Sequence, residues 1–335
     1  MILFPFAKIL QAATAFRNLL YDRNLFKKHS LGAYTVSVGN ITAGGTGKTP
    51  LVEYIAGLLA AEGEKVAILT RGYGRREKGR IVVSDGQEVM ANAETGGDEP
   101  LELARKLIGR AVVIADPDRV GAAKFAIDRF GITAFVLDDG FQHRRAERDI
   151  DVVCIDATDP FGGGDLLPAG RLRESLNGLK RANAIVITRC DLVEDVSRIK
   201  EELTPWLQNG VPIFTAGLLL LGYVRAGSEA EPGPLPSRPA FLFSAIGNPQ
   251  SFEIQQRRAG VDVRGAKAFR DHHYYTQDDL ARIEQMARAA GAEILVTTAK
   301  DAVKLADLQI ATPLFVALTE LEVTAAARFA ELIKR

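Results

Sequence analysis

Short apolar runs alternate with segments of helical spacing along most of the chain. The runs are rich in β-branched residues and bounded by Gly, Asp or Arg, which predicts buried strands. Because strands that alternate with helices form parallel sheets covered on both faces, the pattern predicts an α/β fold. The predicted strands of the larger part are YTVSVGN at 34–40, KVAILT at 65–70, AVVIAD at 111–116, ITAFVLDDGFQH at 132–143, DVVCIDA at 151–157 and ANAIVITRCD at 182–191.

Polar and glycine-rich segments follow several of these predicted strands. They are the glycine-rich stretch after the strand 34–40, the basic loop RGYGRR at 71–76, residues 116–119, and the pair Asp138–Asp139. The carboxyl ends of parallel strands lie at one edge of a sheet, and ligands bind there. The sequence therefore predicts that these segments converge on one site.

The composition changes near residue 225, which predicts a domain boundary. The segment AGSEAEPGPLPSRP at 226–239 is rich in Pro and Gly and is typical of a linker or an exposed turn. Beyond it, further apolar runs alternate with helical patterns. We therefore predict an N-terminal helix at 1–30, a nucleotide-binding domain at 31–225, and a smaller α/β domain at 226–335.

The first thirty residues are apolar but are interrupted by basic side chains. Five Lys and Arg residues less Asp22 give this segment a net charge of +4 with His neutral. No apolar run is long enough to cross a bilayer. Two interpretations stay open: an amphipathic helix at a membrane interface with basic residues toward anionic headgroups, or a helix packed on the protein's own core.

The overall charge of the chain gives little information about its function. The chain has 42 basic and 42 acidic residues, so bulk charge does not favour a nucleic-acid partner, and any basic site must be local. The two cysteines, Cys154 and Cys190, lie in apolar runs without metal-ligand spacing, which predicts reduced thiols in the core.

The stretch ITAGGTGKTP contains the strongest chemical signal. A strand precedes it and a helical pattern follows Pro50, which is the context that a phosphate-binding loop requires. Glycines let the backbone curl around phosphates, a lysine binds the β- and γ-phosphates, and the next hydroxyl binds Mg²⁺. The strict motif has glycine where this chain has Thr42. The predicted nucleotide-binding residues are Thr42, Ala43, Gly44, Gly45, Thr46, Gly47, Lys48 and Thr49.

Two aspartates close the predicted strand before residue 140. In a P-loop protein an aspartate at this position holds Mg²⁺, directly or through water, so Asp138 is a predicted metal ligand. Gln142 and His143 follow and are predicted to point into the same region. The later ITRCD segment weakly resembles the guanine-reading motif of GTPases, with Arg189 where a lysine is expected. A GTPase that acts as a metallochaperone or switch is therefore an alternative.

Seven segments carry a resemblance to one family. In chain order they are SVGNITAGGTGKTP, LTRGYGR, GGDEP, LDDGFQHR, LLPAGRLRE, FRDHHYY and TTAKDAVKL, and they extend over nearly the whole chain. Together they resemble the tetraacyldisaccharide 4′-kinases of lipid A biosynthesis. The resemblance implies a P-loop domain, a smaller C-terminal α/β domain, and an N-terminal helix that meets the membrane. It also implies that ATP, with Mg²⁺, phosphorylates the 4′-hydroxyl of a lipid A disaccharide 1-phosphate.

The resemblance also implies roles for single residues. Asp98 of GGDEP corresponds to the catalytic aspartate, and His272 of FRDHHYY to its histidine partner. Ser175 and Arg270 stand where many relatives have proline, and the doubled His272–His273 leaves the partner histidine ambiguous. The implied catalytic set also contains Lys48 and Asp139, and the implied metal ligands are Thr49, Asp138 and Glu99. The implied acceptor-binding residues are Arg71, Tyr73, Arg119, Gln142, His143, Arg173 and Glu174.

The same resemblance implies where the protein works. The expected location is the cytoplasmic face of the bacterial inner membrane, with peripheral or monotopic attachment. The expected partners are the lipid substrate and the membrane surface. Neither a nucleic-acid partner nor an obligate protein partner is inferred.

Overall fold

The computed structural model describes residues 4–72, 75–228, 230–271, 273–305 and 307–334. The chain forms two compact units, Met1–Gly217 together with Leu321–Arg335, and Leu218–Glu320. The first unit therefore ends at Gly217 rather than at the predicted residue 225. It also includes residues 321–335, which the predicted division places in the second domain. No described helix combines the length and the apolar character needed to cross a bilayer.

The first unit contains a parallel sheet with helices on both faces, as the alternating pattern predicts. Its helices are α1 Phe4–Asp22, α2 Lys48–Ala61, α3 Ala93–Gly96, α4 Asp98–Lys106, α5 Arg119–Phe130, α6 Ser197–Leu203 and α10 Ala326–Ile333. Its strands are β1 Tyr34–Asn40, β2 Val66–Thr70, β3 Ile81–Ser84, β4 Ala111–Ala115, β5 Ala134–Asp138, β6 Ile150–Asp156 and β7 Ala184–Thr188. Strands β8 Ile213–Arg225 and β12 Leu314–Val323 carry the chain from one unit to the other.

The sheet order in the first unit is β8-β7-β6-β1-β5-β2-β4-β3. Its strands pair in parallel except β3, which runs antiparallel to β4. Val36 of β1 lies opposite Val136 of β5 and Ile150 of β6. Because β1, β5, β2 and β4 are neighbours, their carboxyl ends bring the P-loop and the following polar segments to one edge.

Buried apolar side chains fill both faces of this sheet. On one face α2 packs on the central strands, and Phe329 and Ile333 of α10 join the same core. On the other face α5 packs on β2, β4 and β5. Tyr34 donates a hydrogen bond to the backbone oxygen of Ile333 at 2.8 Å. The described C-terminal residues thus complete the core that supports the P-loop helix.

The second unit has its own parallel sheet in the order β10-β9-β11-β12. Its core lies around Phe241, Phe243 and Leu295. Short 3₁₀ helices occur at Leu176–Arg181, Cys190–Leu192 and Thr204–Trp206 in the first unit and at Val303–Leu305 in the second. The remaining elements of this unit are β9 Ala240–Ser244, α7 Pro249–Arg258, β10 Val263–Ala268, α8 Gln277–Ala289, β11 Ile294–Thr298 and α9 Ala299–Ala302.

Candidate active site

The P-loop connects β1 to α2 and is held by side chains from other parts of the chain. Gly44 and Gly47 adopt positive φ angles of 112° and 73°, which favour glycine. The carbonyl oxygen of Ala43 accepts hydrogen bonds from Arg171 at 2.8 and 3.1 Å, and that of Thr46 accepts one from Thr188 at 2.7 Å. These bonds hold the carbonyl groups of Ala43 and Thr46 in place, and they therefore fix the backbone conformation of the loop. Helix α2 then begins at Lys48 and places its positive end at the loop.

Lys48, Asp139 and Arg173 form a charged group beside the loop. The Lys48 Nζ atom lies 3.7 Å from Asp139 Oδ1. Arg173 donates to both carboxylate oxygens of Asp139, at 2.7 and 2.8 Å. Burial opposes ionisation of Asp139, but Lys48 and Arg173 outweigh it and lower its pKa. Asp139 is therefore an anion between two cations that both face the P-loop edge.

Asp138 differs from its neighbour in its electrostatic surroundings. Its carboxylate is buried and accepts a hydrogen bond from Thr70 at 2.9 Å. Burial, followed by the charge of Glu99, raises the pKa of Asp138 to about 6. Glu99 lies in the first turn of α4, next to Asp98. Glu99, Asp138 and Asp139 thus form one acidic region, although Glu99 lies far from the two aspartates in sequence.

This acidic region suits a divalent cation. Mg²⁺ keeps several waters in P-loop sites and takes only one or two protein carboxylates with the phosphates. The described residues contain no cluster of three His, Cys, Asp or Glu side chains that could hold a metal ion. The like charges that raise the Asp138 pKa are what a bound cation would neutralise.

Three of the predicted acceptor residues lie around a basic region beside the aspartates. Arg119 is only 3% exposed and donates to the backbone oxygens of Asp116 at 3.2 Å and Asp138 at 3.1 Å. Burial lowers the pKa of Arg119, and the nearby charge of the exposed Arg71 acts in the same direction. His143 is half-buried in this region. Tyr73 lies outside the described residues.

Gln142 and Glu174 are turned toward the protein. Gln142 donates to the backbone oxygen of Asn40 at 2.8 Å and to Glu174 Oε1 at 2.9 Å. Glu174 is 1% exposed and also accepts a hydrogen bond from Arg181 at 2.9 Å. The structure thus brings both residues next to Arg173, but it buries the Glu174 carboxylate.

The two histidines of FRDHHYY differ in what the structure describes. His272 lies outside the described residues. The His273 Nε2 atom lies 3.0 Å from Asp279 Oδ2, and its ring stacks on Phe269 at a centroid distance of 4.7 Å. Asp279 also caps the start of α8 through Thr276. The His273 imidazole is therefore held by Asp279 and Phe269 within the second unit.

Sequence reasoning missed several residues that shape the site. Thr70 binds Asp138, Arg171 binds the P-loop carbonyl, and Thr188 supports the loop from β7. Thr70 and Arg171 lie inside the LTRGYGR and LLPAGRLRE segments, so these motifs contained a signal for both. Arg189 of ITRCD forms an ion pair with Asp156.

The burial of His143 has a measurable consequence for stability. Burial, followed by the charge of Arg119, lowers its pKa from 6.5 to about 4. Between these values the unfolded chain binds a proton that the folded chain does not, so this group costs stability as pH falls through that window. We expect His143→Asn to flatten the decline of the unfolding midpoint between pH 6.5 and 4. The exposed His29, changed to Asn, is the control, and equal slopes for both variants would contradict the effect.

Comparisons with known proteins show to which family this chain is similar. The family described as tetraacyldisaccharide-1-P 4′-kinase matches residues 1–335. A tetraacyldisaccharide 4′-kinase of Geobacter metallireducens is 41% identical over 296 residues, covering 88% of this chain and 85% of the relative. One of Halothermothrix orenii is 40% identical over 311 residues, covering 89% and 80%.

A solved structure shares the fold. It is an LpxK from Aquifex aeolicus, described as an "apo" form in complex with ATP. The match has a TM-score of 0.79 at 31% identity and covers 98% of this chain and 96% of that chain. Since the family match extends over the whole length and relatives of the same name are 40–41% identical, the chain belongs to the tetraacyldisaccharide-1-P 4′-kinase family.

Proposed function

We infer that this protein transfers the γ-phosphoryl group of ATP to the 4′-hydroxyl of a lipid A disaccharide 1-phosphate. One observation carries the inference: the P-loop lysine Lys48 lies 3.7 Å from Asp139, which directly follows β5, in a chain that matches this kinase family throughout. Phosphoryl transfer requires positioned cations and a base near the acceptor rather than covalent catalysis by the protein. The site supplies residues for both.

The phosphate-binding side of the site consists of the P-loop and the strand-end acids. Backbone N–H groups of residues 42–47 and the start of α2 would hold the phosphates, and Lys48 would stabilise charge on the β- and γ-phosphates. Thr49, Asp138 and Glu99 would hold Mg²⁺, which neutralises charge on the phosphate oxygens when bound. Asp139 orients Lys48 and Arg173 through its ion pairs.

On the acceptor side, Asp98 is proposed as the base. It would take the proton of the 4′-hydroxyl as the new O–P bond forms and the bond from the γ-phosphorus to the bridging oxygen breaks, which releases ADP. We assign the partner role to His272, because His273 is engaged with Asp279 and Phe269. The anionic acceptor would be bound by Arg71, Arg119, Arg173, His143 and Tyr73, whereas Gln142, which is turned toward the protein, would hold Arg173 in place.

A nucleotide comparison tests the proposed function. Purified protein with Mg-ATP should release ADP only when a lipid A disaccharide 1-phosphate is present in detergent, and Mg-GTP should be a poor donor. The family assignment does not favour the GTPase alternative. Acceptor-independent GTP hydrolysis at a higher rate than ATP-dependent transfer would reverse that ranking.

We further propose that α1 attaches the protein to the cytoplasmic face of the inner membrane, where ATP is available. Phe16 and Leu19 of α1 are 63% and 42% exposed, and Leu25 and Phe26 just beyond it are exposed as well. Residues 1–30 carry a net charge of +4 from Lys8, Arg17, Arg23, Lys27 and Lys28 less Asp22. Each basic residue near an anionic surface contributes about 1 kcal/mol. An apolar surface flanked by basic residues suits a membrane interface.

Substitution of the exposed apolar residues tests the attachment. We expect Phe16→Ser with Leu19→Ser to weaken sedimentation with anionic vesicles, because the variant loses apolar area that would enter the interface. Added salt should weaken binding of the unaltered protein. Leu221→Ser, which changes an exposed leucine of β8, is the matched control. Vesicle binding that responds neither to the double substitution nor to salt would leave α1 without a membrane role.

A further inference from the structure

We propose that α1 is also part of the catalytic machinery, and that Asn18 and Glu174 are positioning residues for Arg173 and Asp139. This inference rests on the proposed kinase function and adds a second role for α1. It also gives the buried Glu174 carboxylate a role other than contact with the acceptor.

A series of hydrogen bonds connects Asp139 to α1, and its first part runs from Asp139 through Arg173 to Gln142. Arg173 holds both oxygens of Asp139, and its Nη1 atom also lies 3.4 Å from Gln142 Oε1. Gln142 donates its amide to the Asn40 carbonyl oxygen at the end of β1. The amide therefore sets the position of Arg173 relative to the strand that leads into the P-loop.

The second step runs from Gln142 to α1 through Glu174. One oxygen of Glu174 accepts from Gln142 at 2.9 Å, and the other accepts from Arg181 at 2.9 Å and from Asn18 at 3.2 Å. A buried carboxylate is costly unless donors surround it. Asn18 of α1 is thus one of three side chains that satisfy this carboxylate.

The third step fixes the same part of α1 to the loop after Asp139. Arg144 is buried and donates to the Asn18 backbone oxygen at 2.9 Å and to Asp22 at 2.6 Å. Its guanidinium also lies over the Tyr21 ring, 5.2 Å from the centroid. Asp139, Gln142 and Arg144 lie on one short segment, so α1 contacts that segment directly and also through Glu174.

The two roles of α1 belong to different parts of its surface. Asn18 and Tyr21 are partly buried against the protein, whereas Phe16 and Leu19 are exposed. A substitution at Asn18 should therefore alter catalysis without altering the apolar surface proposed to meet the membrane. Because the two surfaces are separate, substitutions can test the two roles of α1 independently.

The test compares Asn18→Ala with Gln11→Ala, an exposed amide on the same helix. In detergent micelles with saturating acceptor, we expect Asn18→Ala to lower kcat by about tenfold, the loss that one hydrogen bond to a charged group allows. The KM for ATP and sedimentation with anionic vesicles should not change. Asn18→Asp should lower kcat further, because it places a second carboxylate against Glu174. Glu174→Gln combined with Asn18→Ala should cost less than the product of the two losses.

A second readout does not depend on turnover. Amide hydrogen exchange of residues 138–145 should accelerate in Asn18→Ala and not in Gln11→Ala, measured at a temperature at which both variants are fully folded. Equal kcat and equal exchange in the two variants would overturn the inference, as would a loss of activity that parallels a loss of vesicle binding. If the unaltered protein fails to phosphorylate the acceptor, the proposed function is wrong, and the exchange comparison still decides whether α1 positions the segment.

Discussion

Replacement of Lys48 by alanine is expected to lower phosphoryl transfer by at least about 100-fold, the cost of removing one preorganised donor to a developing charge. Lys48 is the first residue of α2 and lies 3.7 Å from Asp139, so its ammonium group is held where the β- and γ-phosphates would lie. The ATP complex should weaken as well, because the same charge attracts the ground-state phosphates. Single-turnover kinetics and ATP titration measure the two effects separately.

Folding must be checked beside this variant, because Lys48 also neutralises Asp139. Lys65→Ala removes an exposed lysine just before β2 and is the matched control. Arg173 still pairs with Asp139 in the Lys48 variant, so the unfolding midpoint should remain close to that of the control. Near-normal transfer by a folded Lys48→Ala protein would remove the P-loop from the mechanism.

The second large effect is expected at Asp98. Asp98→Asn keeps the shape of the side chain but removes the proposed base, and positioned bases contribute about 10²–10⁴-fold to rate. ATP affinity should change little, because Asp98 is proposed to act on the acceptor hydroxyl. Steady-state kinetics with varied ATP and acceptor separate the two binding steps from turnover. Glu102→Gln on the same helix is the control for a lost carboxylate.

A double-mutant cycle examines the proposed partnership with His272. If Asp98 and His272 serve one proton transfer, the double variant should lose much less activity than the product of the single losses. His273→Ala serves as the comparison, because its imidazole binds Asp279 and should affect stability more than rate. Multiplicative losses, or a larger rate defect in His273→Ala than in His272→Ala, would refute the pairing.

Local sequence patterns contained most of the information about the first unit's sheet. The β-branched run YTVSVGN forms β1 at Tyr34–Asn40 because its side chains are buried on both faces. Asp138 follows the same kind of run and lies beside the P-loop, since β5 pairs directly with β1. The order of the strands in the sheet thus brings residues that are distant in sequence into one site.

Features that depend on long-range packing were not predicted. No predicted strand covers β8, because its burial pattern is irregular and part of the strand lies in each unit. Phe329 of α10 packs edge-on against Phe214 at 5.0 Å, a contact that helical periodicity cannot specify. Glu174 has the residue type of a substrate ligand, yet Arg181, Gln142 and Asn18 satisfy it within the protein.

The position of the transferred phosphate tests whether this protein phosphorylates the 4′-hydroxyl of the lipid acceptor. The protein would be incubated with Mg-ATP and either a lipid A disaccharide 1-phosphate or its 4′-deoxy analogue, and the products analysed by mass spectrometry and ³¹P NMR. We expect one added phosphomonoester at the 4′ position of the first acceptor and no product from the analogue. Phosphorylation of the 4′-deoxy analogue, or no acceptor-dependent product from folded protein, would contradict the proposed function.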